Sequence, residues 1–348
     1  MLKFVKYSAV TIASVAALGV VAVDSTPAQA DPVADFYKGR TVRIIQGFSV
    51  GGTYGRYASM FAQFLPKYIP GNPTIIAERM AGAGGLKAAN FAYNAMAKDG
   101  SSLYVPVDSL VISQLLRPKA AKFKANEFTW LGNAIQSNAV IVVRTDAGIN
   151  TLADLKTKRI VMASSGKASQ TFLMPSLLNA LYGAKFKIVT GYRGAAPMRL
   201  AMEKGEAQGI SLTWLSWRSG VPHWFKPGGF AKAIVQIGVE KEVELPNVPM
   251  FSDVVTSKED KQIVAFMASL GPIGRGLAVP PGVPADRVKA LRKAFSQMVV
   301  DPDFIAEAKK RRVRVNALSG EQVQKFVNEA LKVSPEVVAR AKKLIMGK

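Results

Sequence analysis

Three short apolar stretches in this chain each run into a turn of glycine and hydroxyl residues, followed by an amphipathic pattern. The first is Val42–Phe48, then Ser49-Val50-Gly51-Gly52-Thr53, then Tyr54 onward. The second is Thr74–Ala77, then Gly82-Ala83-Gly84-Gly85, then Leu86 onward. The third is Ile160–Ala163, then the turn Ser164-Ser165-Gly166-Lys167-Ala168-Ser169, then Thr171 onward. A strand-to-helix junction of this kind leaves the first N–H groups of the helix unpaired and pointing into the turn. The helix dipole adds partial positive charge there, which suits a carboxylate or phosphate. Glycine lets a ligand come close to the backbone. Three such turns spread over two halves of one chain imply a cleft that grips an anion from both sides.

The residues of catalysis are scarce. The only histidine is His223, in Pro222-His223-Trp224, and the chain has no cysteine. Zinc and iron sites of the nitrogen and sulfur type are therefore excluded. No Gly-x-Ser-x-Gly elbow is present, and no second histidine could support a serine nucleophile. A Ser–Lys pair of Ser164 or Ser165 with Lys167 is conceivable, but an anion cradle explains the same residues with fewer assumptions. Gly82-Ala83-Gly84-Gly85 lacks the Gly-Lys-Ser/Thr of a phosphate-binding loop and does not match the dinucleotide fingerprint. The sequence points to binding without catalysis, and no cofactor is called for.

The elements that would position these turns alternate between strand and helix along the chain, which predicts an α/β fold. Strands are expected at Thr41–Phe48, Ser102–Val107, Val140–Val143, Ile160–Ala163, Phe186–Val189, Gly209–Leu212, Ala233–Ile237 and Gly276–Val279. Thr151 is a plausible cap for a short helix over Thr151–Leu155. Near the C-terminus, Asp301 before Pro302 and Ser319 with Gln322 read as helix starts, and Pro335 after Ser334 as another. The chain has 348 residues, more than one core commonly serves, so two domains are expected. Residues 31–135 with 276–348 form lobe 1 in this reading, and 136–275 form lobe 2. The crossings fall near 133–138 and 271–276, and the C-terminal helices pack back on lobe 1.

Residues 1–30 read as an export signal. Lys3 and Lys6 precede the apolar run Ser8–Val23, and Ala28-Gln29-Ala30 is a small-x-small cleavage site. The apolar run is shorter than the roughly 20 residues of a membrane span, so cleavage after Ala30 is expected. The net charge of +22 raises the question of nucleic acid. Export and the scatter of the cations argue against it, since only Lys309-Lys310-Arg311-Arg312 forms a run. The charge instead predicts a field that favours anionic ligands and surfaces.

Several segments, in order, carry a resemblance. Phe36-Tyr37-Lys38-Gly39-Arg40 and Val42-Arg43-Ile44-Ile45 lead into Phe48-Ser49-Val50-Gly51-Gly52. Arg79-Met80-Ala81-Gly82-Ala83-Gly84-Gly85, Ala97-Lys98-Asp99-Gly100 and Tyr192-Arg193-Gly194-Ala195-Ala196-Pro197 follow. The late segment is Leu277-Ala278-Val279-Pro280-Pro281-Gly282-Val283-Pro284. Together they resemble the solute-binding receptors of tripartite tricarboxylate transporters, the Bug family, over essentially the whole mature chain. The resemblance implies a periplasmic binding protein of the type II-like, two-lobe kind, each lobe a mixed sheet flanked by helices. It implies a protein that captures an organic carboxylate and delivers it to two membrane subunits, and a monomer is expected. It also implies that Ser49, Gly51, Gly52, Thr53, Ala83, Gly84 and Gly85 serve the first lobe. Ser165, Gly166, Ser169, Tyr192, Arg193 and Gly194 would serve the second.

The chain departs from the family pattern at Gly55, where members carry an acid, at Gln208, and at Lys167, where small or apolar residues are usual. Losing an acid and gaining a lysine suggests a ligand of more than average negative charge. Arg193 could pair with a carboxylate or hold its turn by a salt bridge. Tyr54 could face the ligand or head the apolar stripe of its helix. Trp214 and Trp217 straddle a strand-to-helix junction, where an aromatic could wall the cleft or pack beneath it. Asp108 could bind a ligand amine or cap the following turn. Two rival readings are a periplasmic sensor for a histidine kinase and a hydrolase using Ser165 or Ser169.

Overall fold

Each apolar run that meets a glycine turn becomes a strand feeding a helix, and the strands gather into two separate sheets. The computed structural model describes residues 1–2, 31–271 and 273–347. From residue 3 on, the expected export signal lies outside the described residues. The chain opens with α1 (Pro32–Tyr37), β1 (Thr41–Gln46), α2 (Thr53–Phe64), β2 (Thr74–Arg79), α3 (Leu86–Asn94), β3 (Ser102–Val105), α4 (Leu110–Leu116) and β4 (Thr129–Asn133). The middle part runs β5 (Ala139–Arg144), β6 (Arg159–Ser164), α5 (Gln170–Tyr182), β7 (Lys185–Thr190), α6 (Ala195–Glu203) and β8 (Gly209–Thr213). It continues through α7 (Trp214–Gly220), β9 (Ala231–Ile237), α8 (Phe251–Val254) and α9 (Lys258–Ala268). The last part is β10 (Gly276–Val279), α10 (Ala285–Met298), α11 (Pro302–Lys310), β11 (Leu318–Ser319), α12 (Gly320–Ala330) and α13 (Pro335–Met346).

The first sheet has the order β11-β4-β10-β3-β1-β2, and the second β7-β6-β8-β5-β9. In the first, β1 runs parallel to β2 and β3, while β10 lies antiparallel between β3 and β4. In the second, β6 runs parallel to β7 and β8, and β5 lies antiparallel to β8 and β9. Both are thus mixed sheets. The chain leaves the first sheet after β4, enters the second at β5, and returns at β10. Parallel pairs need helical crossovers, which is why helices cover both faces of each sheet.

Four apolar clusters hold these layers. Tyr57 and Phe61 of α2 meet Phe295 of α10 and Phe304 of α11 against one face of the first sheet. Ala88 and Ala89 of α3 and Val323 and Val327 of α12 cover its other face around Trp130. Phe61 is fully buried, a side chain whose removal from water contributes about 2–3 kcal/mol. On the second sheet, Leu173 and Leu177 of α5 pack with Ile263 and Met267 of α9, and Met198, Met202 and Trp217 line the opposite face.

The sequence assigned all of 276–348 to lobe 1, but α13 departs from that assignment. Its buried Ala341 and Ile345 join Leu177 and Ile263 in the core of the second sheet, where α13 packs on α4, α5 and α9. The apolar stripe of α13 finds its complement there, so the tail crosses between lobes once more. A strand absent from the sequence reading is β4, where Trp130 and Leu131 are buried. Thr151 does not cap a helix. Instead the Asp154 carboxylate accepts the N–H groups of Asn150 and Thr151, at 2.8 Å each, ahead of a single 3-10 turn.

The expected caps near the C-terminus are in place: Ser319 and Gln322 form a reciprocal capping box, and Ser334 accepts from Val337. Asp301 accepts from Asp303 and also takes the Lys67 ammonium at 3.0 Å and the Tyr68 hydroxyl. The Tyr68 hydroxyl first, then the Asp303 N–H and Lys67, hold the Asp301 carboxyl down from 3.8 to about 2. A depressed carboxyl stabilises the fold above its ordinary value, and that stability is lost as pH falls through the depressed one. Asp301→Ala should therefore cost about 1–2 kcal/mol near neutral pH through the lost cap. It should also flatten the loss of stability between pH 4 and pH 2, read by urea unfolding across that range.

Candidate functional site

The turns after β1, β6 and β7 and the end of β8 meet at a cavity of about 40 Å3 between the two sheets. Thr53, Tyr54 and Asp108 reach it from the first sheet's side, and Ser165, Ser169 and Thr213 from the second's. Gly52 and Gly194 complete the backbone part of the wall. Phe48, Ala195, Met198 and Leu212 supply its apolar part.

Three helices begin at this cavity without a side-chain cap. Gly52 precedes α2, Gly194 precedes α6, and Ser169 precedes α5 with its hydroxyl turned to the Gly166 carbonyl at 2.9 Å. Elsewhere both kinds of start occur: α9, α11, α12 and α13 each carry a capping serine or aspartate, while α3, α4, α8 and α10 carry no side-chain cap. The fourth helix at the cavity, α7, is closed by Thr213, which accepts from Ser216 N. Uncapped first turns keep their N–H groups and positive dipole ends for whatever enters the cavity.

Arg275 is the residue that the sequence reading missed. It is only 5% exposed, just ahead of β10 where the chain re-enters the first sheet, and it lines the cavity. Its Nη1 donates to Asp108 Oδ2 at 3.1 Å and to the Tyr54 hydroxyl at 3.2 Å. Its Nη2 donates to Thr53 Oγ1 at 3.0 Å and across the cleft to Thr213 Oγ1 at 3.2 Å. The guanidinium lies over the Tyr54 ring, 4.1 Å from its centre. Burial works against this cation, but Tyr54 and Asp108 beside it keep it above the ordinary arginine value. Burial also drives the Tyr54 phenol well upward, so it stays a neutral hydroxyl. The available signal was a lone arginine in Ile273-Gly274-Arg275-Gly276-Leu277, since a cation inside an apolar approach to a strand must be paired.

Asp108 Oδ1 accepts the Ser109 N–H at 2.8 Å, while Oδ2 takes Arg275 and the Gln170 amide. Of the two roles raised for it, Asp108 takes that of holding the following turn through the Ser109 N–H, and it is also the partner of Arg275. Tyr54 lines the cavity and also heads the buried stripe of α2. Trp214 is buried, donates to Glu244 Oε2 at 2.7 Å and packs edge-on to Phe225, away from the cavity. Trp217 is core, its Nε1 donating to the Val140 carbonyl at 3.3 Å.

Gly84, Gly166 and Gly194 serve close approach of one lobe to the other. Gly84 (φ 68°) faces Gly166 and Ser169, so that a Cβ there would stand 2.8 Å from Ser169 N and 3.2 Å from Gly166 O. A Cβ on Gly166 (φ 143°) would stand 2.8 Å from Gly84 N. Gly85 packs against Val107 and Phe48, and Ala83 is exposed with a left-handed φ of 51°. Ser49 N donates to the Arg193 carbonyl at 2.9 Å, Gly194 lies against Ser49, and the buried Ser49 Oγ has no hydrogen-bond partner. The Arg193 side chain is exposed, and Tyr192 bonds through its N–H to the Ser164 carbonyl. Gly51 is exposed, and its carbonyl accepts from Arg199 at 3.4 Å. None of Ser49, Gly51, Ala83, Gly84, Gly85, Gly166, Tyr192, Arg193 or Trp214 lines the cavity.

The departures from the family pattern also find physical places. A Cβ on Gly55 would lie 2.4 Å from the Val50 carbonyl oxygen, so the first turn folds down where an acid cannot stand. Lys167 is exposed and does not line the cavity. Gln208 accepts from Val161 N at 2.7 Å, tying β6 to the approach of β8. The Ser165 hydroxyl lies 3.3 Å from the Thr171 hydroxyl, the Ser169 hydroxyl contacts Gly166 and Thr171, and His223 is exposed beside Trp224. Among the described residues, no helix is long and apolar enough to cross a membrane, and no group of acid, histidine or cysteine side chains is placed to hold a metal.

No curated protein sequence matches this chain. Its fold is similar to the structure of a periplasmic transporter with 23% identity, covering 89% of this chain and 97% of that one, at a TM-score of 0.68. It is similar to the periplasmic binding protein BugD with 20% identity, 88% and 98% coverage, and a TM-score of 0.69. MatC from Rhodopseudomonas palustris, with bound malate, is 20% identical over 88% of this chain and 99% of its own, at a TM-score of 0.65. These likenesses carry the two-lobe α/β fold. The family model of the tripartite tricarboxylate transporter family receptor matches residues 66–343, most of the chain. This chain belongs to that receptor family.

Proposed function

We propose that this protein captures a small organic carboxylate between its lobes in the periplasm and delivers it, as a monomer, to the membrane subunits of a tripartite transporter. The observation that carries this reading is the convergence of three uncapped helix N-termini, those of α2, α5 and α6, on one cavity that Arg275 also lines. An anion there gains backbone N–H donors and a positive dipole from both sheets at once, so it favours the closed arrangement of the lobes. The bound malate of MatC supports a carboxylate as the cargo class. The mature chain, with its export signal removed, would work without a cofactor.

A thermal-shift screen over carboxylates and their amides tests this. A ligand bound only by the folded protein adds about 2.7 kcal/mol at about 100 times its Kd, enough to raise the melting temperature by several degrees. Acids should produce that rise and the matching amides should not. Stabilisation by neutral or cationic compounds alone would contradict the reading.

A further inference from the structure

A second recess lies where the two lobes meet, an open groove of about 950 Å3 that shares no lining residue with the cavity between the sheets. One wall is α11 with the residues flanking it, and the other is α7 with Pro222 and Glu244. Buried Leu215 and Val313 lie at its base, while Val300 and Ile305 stand 69% and 47% exposed. Apolar side chains left open together in one recess mark a contact surface. The groove is also basic. With an adjoining recess that shares Arg218 and Glu244, it is lined by six cations and one carboxylate among the described residues. Arg218 is held by Glu244 at 2.7 Å, and Arg314 of the first lobe by Glu242 of the second at 3.3 Å. Lys309 and Arg312 are exposed and have no carboxylate partner among the described residues. Lys309 complements the dipole at the end of α11, but Arg312 stands beyond that end. There the chain takes φ 56°, a left-handed turn that usually falls to glycine, so a cation is kept at this place against backbone preference.

Going beyond the cargo, we infer that this groove docks an acidic segment of a partner protein. Its carboxylates would meet Lys309 and Arg312, and an apolar side chain would cover Leu215 and Val313. A base set below exposed rims suits a protruding segment better than a flat membrane. A second copy of this chain, at a net charge of +22, would be repelled. Because the walls come from different lobes, only the closed arrangement presents the whole groove.

The test is fluorescence anisotropy of a dye-labelled decapeptide alternating glutamate and leucine, titrated with the full mature chain. One-to-one binding is expected, weakening as salt rises. A peptide with lysine for glutamate should not bind, and one with serine for leucine should bind about 10-fold more weakly. The double variant Lys309→Glu with Arg312→Glu should keep the circular dichroism spectrum and bind the acidic peptide about 10-fold more weakly. Lys185→Glu with Lys187→Glu makes the same change of net charge on exposed side chains of β7, outside the groove, and should bind nearly as the wild type. Equal losses in the two double variants would reduce the effect to overall charge and overturn the site. Binding to phosphatidylglycerol vesicles that the groove variant alone loses, with no binding of the peptide, would overturn the protein partner. No peptide binding by a chain that carboxylates still stabilise would remove the groove and leave the carboxylate-receptor reading standing. Peptide binding without any carboxylate response would do the reverse.

Discussion

A methyl group on Gly166 should weaken ligand binding about 10–100-fold while each sheet stays folded, because overpacking by one methyl costs about 1–3 kcal/mol at a tight contact. The Gly166 Cβ would stand 2.8 Å from Gly84 N and 3.1 Å from the Ala83 carbonyl carbon, both backbone atoms of the opposite side of the cleft. Neither can give way without parting the lobes. In Gly166→Ala the open arrangement is therefore favoured, and apparent affinity falls by the fraction of closed-competent molecules. The backbone strain of an alanine at φ 143° acts as well, so a control is needed that carries strain alone. Gly183→Ala supplies it, since Gly183 has φ 79° and no atom within 4 Å of an added Cβ. Calorimetry should show weak binding in the first variant and near-normal binding in the second. Equal affinities would mean that the glycine contact has no part in closure.

The largest stability effect is expected at Arg275. Arg275→Ala leaves the Asp108 carboxylate, 6% exposed, without its cationic partner, which costs about 3–5 kcal/mol for a broken buried pair. Adding Asp108→Asn should restore much of that, because a neutral amide can still accept from Ser109 N and needs no counter-ion. Urea unfolding of the two single variants and the double closes the cycle. An additive result would show that the pair is not coupled. The geometry predicts strong coupling, since Arg275 also takes Tyr54, Thr53 and Thr213 into the same network.

Much of the architecture can be read from local patterns, and the reasons are local. Ser319 with Gln322 and Asp301 before Pro302 mark helix starts because the capping hydrogen bonds lie within one turn. The apolar runs of β1, β6 and β8 mark strands because both of their faces are covered. The site is less legible. The glycine turns are evident as turns, but whether a glycine admits a ligand or the backbone of the other lobe depends on how the lobes meet. Gly84 and Gly166 turn out to serve the second purpose. Arg275 sits in a proline- and glycine-rich stretch where an arginine ordinarily reads as solvated. Its partners Asp108 and Thr213 are 167 and 62 residues away in sequence. Trp214 shows the same limit, since its strand-end position places it near the cleft while Glu244 and Phe225 decide where the ring points.

The proposed function depends on the cavity between the sheets acting as an anion clamp. Calorimetric titration of the wild-type chain with an acid and its own amide tests it most directly, because the pair differs in charge and hardly in shape. One-to-one binding of the acid is expected, weakened about 10–100-fold in Gly166→Ala, with little or no heat from the amide. Equal binding of acid and amide, or acid binding that Gly166→Ala leaves untouched, would contradict the clamp.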